Sequence, residues 1–469
     1  EKGRSFLPCL FNSFDPYFKQ PFGAVRAGQS VHLSLCIPEE LGYVDPHLVL
    51  QKEGKYDVPV HYRMKFDGQT PHQNHFSVDV TLNDVGLYFY YFDLYTDFRR
   101  IVRGPDNCGV VSWQEGESWQ ITVYEADFET PAPIKGKVFY QIFPDRFAGE
   151  GDPAAFVPTR DNFFGGTLKG ITGKIPYLKD LGVQGIYLNP IFQSPSNHRY
   201  DTADYARIDS LLGDEKDFRR LVESLHEAGL RIMLDGVFNH CAWDHPFWQD
   251  VLQNGESSPY YEWFYIEDVR SLTGAEKEKF SPEIIKRDHP FACFAFAANM
   301  PKWNTENELV MDYLIGQAEH WTRDYGIDAW RLDVPDEISM RFLREFKRRI
   351  RAVSDQVYII GEIWQDAGLW LDHSVFDGTM DYPLYYAIRD FAMTGQDNLA
   401  AFARRIQRWV ISSPEAVHPY QWAFCSNHDI PRLLTECGGD AERAKLALFL
   451  TAVLGGNMSA YYGDELGME

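Results

Sequence analysis

Four short segments in the second half of the chain carry ionisable side chains in patterns that could do chemistry. They are Asp235-Gly236-Val237-Phe238-Asn239-His240, Arg331-Leu332-Asp333, Gly361-Glu362 and Asn427-His428-Asp429. An arginine two residues from an aspartate favours the charged carboxylate, because an opposite charge stabilises the ionised form. One carboxylate held anionic beside a second that is free to be tuned as an acid is the minimum pair for splitting a glycosidic bond. Read alone, Arg331-x-Asp333 is more often a structural ion pair, and each other segment a strand cap or a solvated turn. Read together, so many like charges brought to one place would cost stability, and function is the reason to accept that cost.

The segments sit at the ends of apolar runs, and these runs set the architecture. From residue 137 onward, strand-like stretches fall at 138–143, 185–189, 231–237, 327–333, 357–363, 376–380, 420–427 and 458–462. Helical patterns fill the intervals at 214–228, 306–325, 339–352 and 440–454, the first opening on Asp214-Glu215 at the positive end of the helix dipole. Strand and helix in alternation predict an α/β fold of the TIM (β/α)8 type, in which chemistry belongs at the carboxyl ends of the strands. The four ionisable segments fall there. The chain ends just after the last predicted strand, so the final helix of such a barrel is expected beyond residue 469. The connection 240–304 is too long for a plain loop and predicts an inserted subdomain.

Residues 1–125 follow another rhythm. Val31-His32-Leu33-Ser34-Leu35-Cys36-Ile37 and Trp119-Gln120-Ile121-Thr122-Val123-Tyr124 alternate with period two, and turn residues such as Asp67-Gly68 separate such runs. That pattern predicts an all-β sandwich ahead of the barrel, joined by a proline-containing linker over 126–136. A net charge of −23 over 469 residues argues against nucleic-acid or anionic-membrane partners, which that field would repel. The 7 cysteines are scattered and never form C-x-x-C, which points away from a disulfide framework or a zinc site and toward a reducing, cytoplasmic setting. The first residue is Glu1 rather than Met, which leaves a removed secretion leader open.

Taken in order, Asp-x-x-x-Asn-His, Arg-x-Asp, Gly-Glu and Asn-His-Asp resemble the α-amylase family of retaining glycoside hydrolases. Tyr140-Gln141-Ile142-Phe143-Pro144, His198-Arg199-Tyr200-Asp201 and Tyr461-Tyr462-Gly463-Asp464-Glu465 agree with that likeness. It implies Asp333 as nucleophile, Glu362 as general acid then base, and Asp429 as the group holding the sugar hydroxyls in a distorted ring. It further implies substrate contacts from Tyr140, Tyr200, His240, Arg331 and His428, and a structural network around Asp235 and Asn239. A metal role for Asp235, Asn239 and His240 is the weaker alternative, since one of each does not make a hard-cation cage. Met300-Pro301-Lys302-Trp303-Asn304 and an all-β domain before the barrel are similar to the neopullulanase and cyclomaltodextrinase group. That likeness adds Trp303 and Glu337 to the substrate contacts and implies a homodimer formed through the first domain.

Departures from the group's pattern matter too. Val334-Pro335-Asp336-Glu337-Ile338 stands where the group reads Val-Ala-Asn-Glu-Val, which leaves the 1,4 against 1,6 bond preference open. In the calcium loop, Phe147-Ala148-Gly149-Glu150-Gly151-Asp152 lacks the usual Asn and Thr167 replaces an Asp, so no cofactor and no tightly bound calcium are expected. The function expected is double-displacement hydrolysis of α-glucans: maltooligosaccharides, cyclodextrins, pullulan or starch. Transglycosylation differs only in which acceptor intercepts the intermediate. A non-catalytic sugar- or protein-binding barrel would usually have lost one of the three carboxylates.

Overall fold

In this computed structural model, residues 9–54, 58–95, 98–128, 130–149, 159–371 and 374–469 are described. The chain divides into two compact units. The first comprises Glu1–Glu129, Asp366–His373 and Gly395–His418, and the second Thr130–Gln365, Ser374–Thr394 and Pro419–Glu469.

The first unit contains two sheets. One orders Lys19–Gln20, Ser30–Pro38, Gln73–Thr81 and Lys65–Thr70 as antiparallel neighbours. The other runs Gly109–Ser112, Arg100–Arg103, Gly86–Asp93, Trp119–Tyr124 and Val25–Arg26, with His47–Lys52 and Val60–Arg63 joined to it through Gly86–Asp93. The alternation legible in Ser30–Pro38 is realised: Val31, Leu33, Leu35 and Ile37 are buried. They share one apolar core with Trp119, Tyr90 and Phe92 of the second sheet. The helix Leu399–Ser412 belongs to this unit although it lies far along the chain, and Gln407 Nε2 donates to Phe14 O.

The second unit is the barrel. Its strands, in chain order, are β1 (Val138–Ile142), β2 (Gly185–Leu188), β3 (Arg231–Gly236), β4 (Ala329–Leu332), β5 (Tyr358–Gly361), β6 (Gly378–Thr379), β7 (Trp422–Phe424) and β8 (Asn457–Tyr461). Parallel pairing runs from β6 through β5, β4, β3, β2 and β1 to β8 and β7. An isolated parallel bridge between Met380 and Trp422 closes the ring. At that seam a side chain stands in for backbone, because Gln421 Oε1 accepts from Thr379 N at 2.8 Å. All eight predicted strands are present, most of them shorter than their apolar runs.

Helices cover the barrel where the amphipathic patterns predict them. Asp214 caps Glu215–Glu227, accepting from Lys216 N and Asp217 N in a reciprocal capping box, and the helix buries Phe218, Leu221, Val222 and Leu225. Glu308–Tyr325, Met340–Val353 and Ala441–Leu454 follow β3, β4 and β7. The insertion after β3 is a folded body rather than an open loop. Its helices are Pro246–Asn254, Val269–Leu272 and Pro282–Asp288, and Trp243, Trp248, Phe264, Phe280 and Phe291 are buried within it. A bridge from His240 to Lys302 ties its two ends together, and one from Phe264 to Trp303 ties its middle to the exit. Among the described residues, no helix is long and apolar enough to cross a membrane.

Candidate active site

The site grows from strand alternation. Along β4, Trp330 turns outward to the helices, its Nε1 donating to Thr322 Oγ1 at 2.9 Å. The next residue of the alternation, Arg331, therefore points into the barrel, as does Asp333 beyond it. Arg331 pairs in register with Asp235 of β3. Its Nη1 donates to Asp235 Oδ1 and Asp333 Oδ1, both at 2.8 Å. Its Nη2 lies 2.8 Å from Glu362 Oε2, an ion-pairing distance without hydrogen-bond alignment. One fully buried guanidinium thus serves carboxylates from three neighbouring strands. Glu362 follows Gly361, where any Cβ would strike the Phe376 ring at 2.4 Å, so only glycine lets β5 approach that ring.

A second layer fixes the first. Asp235 Oδ2 accepts from Tyr187 and Tyr200, each at 2.7 Å, leaving that carboxylate fully engaged. Gln141 Nε2 donates to Asn189 Oδ1 at 3.1 Å and approaches His428 Nδ1 at 3.0 Å. Nδ1 of His428 is then the acceptor and Nε2 carries the proton, directed at Tyr200 Oη at 2.5 Å and Asp429 Oδ2 at 3.2 Å. Burial pushes His428 down to about 4, with Arg331 adding to it, so this imidazole is neutral at pH 7. Burial likewise pushes His240 down to about 3.

The carboxyls do not divide as the sequence predicts. Asp333 is expected low because of Arg331, and Glu362 high because of apolar neighbours. In the structure, burial outweighs Arg331 at Asp333 and holds it well above the carboxylate range. At Glu362 burial also pushes up, but Arg331, His428 and a hydrogen bond from Trp364 Nε1 (3.1 Å) together prevail and bring it down. Trp364, two residues on, thus acts as a donor and not only as an apolar wall. Asp429 is pushed up to about 7 by burial and then by the negative Glu362. Interacting acids titrate as a set, and three carboxyls facing one guanidinium retain a proton between them.

These groups open onto a cavity of about 710 Å³, lined by Asp333, Glu362, Asp429, His428, Tyr200 and His240 among others. Several predicted contacts need correction. Trp303 is fully buried, with Nε1 donating to Tyr205 Oη at 3.1 Å and its ring stacked on Phe264, so it packs the insertion and does not line the cavity. Tyr140 is buried, donates to Glu465 Oε1 at 2.7 Å, and does not line the cavity. Arg331 is buried behind the carboxylates and reaches substrate only through them. His240 borders the cavity, but its Nε2 donates to Tyr200 O at 3.0 Å and its ring stacks on Phe294. Glu337 lines a neighbouring cleft, paired with Lys302 at 3.1 Å and Asn239 at 3.3 Å, and Asp336 borders both spaces. Tyr200 lines the cavity, its ring parallel to His428 with centroids 5.1 Å apart.

Some contributors had no signal in the sequence. Phe294 of the insertion, and Arg146 and Asn197 from the segments after β1 and β2, reach the cavity only because of the fold. Val334 adopts φ 44°, ψ 49°, a left-handed conformation that is strained for a β-branched residue, and its N–H points at Glu362 Oε2 at 3.4 Å. Among the described residues, side chains near the expected calcium loop are engaged by the protein itself. Thr167 Oγ1 caps Leu168–Gly173 by accepting from Gly170 N, and Asp145 Oδ2 accepts from Phe164 N. Asp235 is engaged by Arg331, Tyr187 and Tyr200, and His240 Nε2 by Tyr200 O, while Asn239 Oδ1 has no protein partner. Residues 150–152 of the altered loop lie outside the described residues.

The fold and the site define a (β/α)8 barrel with a carboxylate cluster at its carboxyl rim, and comparison with known proteins agrees. Residues 141–469 match the family model of the alpha amylase catalytic domain. The chain is 43% identical over 351 residues to a cyclomaltodextrinase of Geobacillus thermopakistaniensis (strain MAS1), covering 73% of this chain and 58% of that one. It is 40% identical to neopullulanase 2 of Thermoactinomyces vulgaris, covering 73% and 58% respectively. A solved cyclomaltodextrinase superposes with a TM-score of 0.71 at 31% identity, covering 99% of this chain and 79% of that one. The chain belongs to the α-amylase family. It spans about three fifths of the length of these curated relatives.

Proposed function

We propose that this protein is a retaining α-glucan hydrolase of the cyclomaltodextrinase and neopullulanase type. The observation that carries the reading is the convergence of Asp333, Glu362 and Asp429 on one cavity, the first two held by opposite nitrogens of Arg331. In the reactive arrangement the proton held by the interacting carboxyls sits on Glu362 and Asp333 is ionised; Glu362 gives that proton to the glycosidic oxygen as Asp333 Oδ attacks the anomeric carbon. The leaving sugar departs as an alcohol and a glycosyl ester remains on Asp333. Glu362, now a carboxylate, takes a proton from water. That water attacks the anomeric carbon, frees Asp333 as carboxylate and leaves Glu362 protonated again. Asp429 holds the hydroxyls of the distorted ring. Arg331 keeps negative charge on the set while burial keeps one proton in it. No step in this scheme calls on a metal.

Relatives named cyclomaltodextrinase, maltogenic alpha-amylase and neopullulanase support small or cyclic α-1,4-glucans, with some α-1,6 bonds, as substrates. A relative from Bacillus subtilis named intracellular maltogenic amylase supports action in the cytoplasm, as the unpaired cysteines do. A homodimer through the first unit completes the reading, and sedimentation velocity checks it.

The deciding experiment follows anomers by NMR during hydrolysis of a cyclodextrin, pullulan and soluble starch. The α-anomer should form first and the cyclodextrin should turn over faster than starch. A β-anomer as first product overturns the mechanism, and faster starch cleavage overturns the subgroup. Asp333→Asn should lower kcat by at least about 10⁴-fold with maltooligosaccharide binding retained, since a nucleophile acts only in the chemical step.

A further inference from the structure

Asp429 is held in an awkward place. Its carboxyl lies close enough to that of Glu362 to be raised by it, and among the described residues no Lys or Arg forms a salt bridge with it. Two carboxyls driven together repel, so something else must hold the loop that carries Asp429. That loop runs from Ser426 to Arg432, and both its ends are fastened to the turn leaving β8. At the start, Ser426 Oγ donates to Asp464 Oδ2. At the end, Arg432 Nη1 donates to Tyr462 O and stands 3.6 Å from Asp464 Oδ1. The Arg432 guanidinium also lies 4.4 Å from the Tyr461 ring centroid and 4.5 Å from that of Tyr462. Both tyrosines line the catalytic cavity. Between the two fastenings, Asn427 Oδ1 accepts from Asp429 N at 2.8 Å, which stiffens the turn.

We infer that Arg432, with Asp464 behind it, is a positioning residue for the reaction: it clamps the Asp429 loop to the Tyr461–Tyr462 wall and so holds Asp429 against Glu362. Arg432 does not line the cavity, so its effect passes through Asp429. The inference rests on Asp429 being the group that holds the distorted sugar ring. Arginine suits the clamp for a physical reason. A flat guanidinium can stack on two rings while its edge donates to a carbonyl and faces a carboxylate, which a lysine ammonium cannot do at once.

The test compares Arg432→Lys, Arg432→Met, Asp429→Asn and the double change Asp429→Asn with Arg432→Met. Calorimetry measures the affinity of each for maltotriose and for a pseudo-oligosaccharide inhibitor carrying a half-chair ring. Arg432→Met should weaken the half-chair inhibitor by about tenfold or more and maltotriose by less than about twofold, because only the distorted ring relies on the placed carboxylate. In the Asp429→Asn background the same change should weaken neither ligand further. Arg432→Lys, which keeps the charge and the fold, should fall between wild type and Arg432→Met. Parallel weakening of both ligands, or an undiminished effect in the Asp429→Asn background, would overturn the clamp while leaving Asp429's role standing. Unchanged half-chair affinity in Asp429→Asn alone would instead overturn the reading of Asp429 itself.

Discussion

Arg331 is the residue on which the chemistry turns, and it does so by being shared. A guanidinium dedicated to Asp333 would give a cold nucleophile and leave the acid to its surroundings. Divided among Asp235, Asp333 and Glu362, it couples Asp333 to Glu362, and the two titrate together. Asp429 is where this shows in stability. Its carboxyl is raised to about 7 in the folded chain, against about 3.9 when unfolded. The folded state therefore binds this proton more tightly, and its contribution is complete below the unfolded value and lost as pH rises through about 7. Asp429→Asn should raise the melting temperature at pH 8 and leave it unchanged at pH 4. Differential scanning calorimetry at the two pH values checks this, and equal shifts at both would rule it out. On the kinetic side, loss of the shared proton predicts that kcat/KM for the wild type declines above about pH 7.

At the scale of elements, the sequence shows which segments fold but not which way their side chains face. The eight strands are legible because both of their faces are buried, which leaves continuous apolar runs. The helices Glu215–Glu227 and Met340–Val353 are legible because one face alone is apolar. Trp303 shows the limit. It sits in a motif whose relatives work near substrate, yet its neighbours here are Phe264, His245 and Tyr205, which the chain order does not reveal. The sharing of Arg331 with Asp235 also escapes local reading, since the two lie 96 residues apart and meet only when β3 and β4 pair. The left-handed turn at Val334 is another such case, because a valine before a proline predicts extended backbone. Trp303→Ala should act as a core deletion, destabilising the protein by about 3–5 kcal/mol in urea unfolding. A variant of normal stability with a raised KM would instead return Trp303 to the substrate.

For the whole molecule, the barrel has one junction unlike the others. β6 holds only Gly378 and Thr379, and its link to β7 is a single bridge plus the borrowed oxygen of Gln421. Glu362 stands on the β5 side of that junction and Asp429 on the β7 side. Parting there by a fraction of the barrel's full unfolding would separate Glu362 from Asp429, while most secondary structure stayed intact. The protein should therefore die by losing register before losing shape. On heating, activity is expected to vanish several degrees below the far-ultraviolet circular dichroism transition, and amides at 378–381 and 422–424 should exchange with deuterium first among the barrel strands. Coincident transitions would mean that the seam holds as firmly as the rest. If they separate, the heat tolerance of this catalyst is set by two strands and one glutamine, and strengthening that short stretch would extend its working range without touching the chemistry.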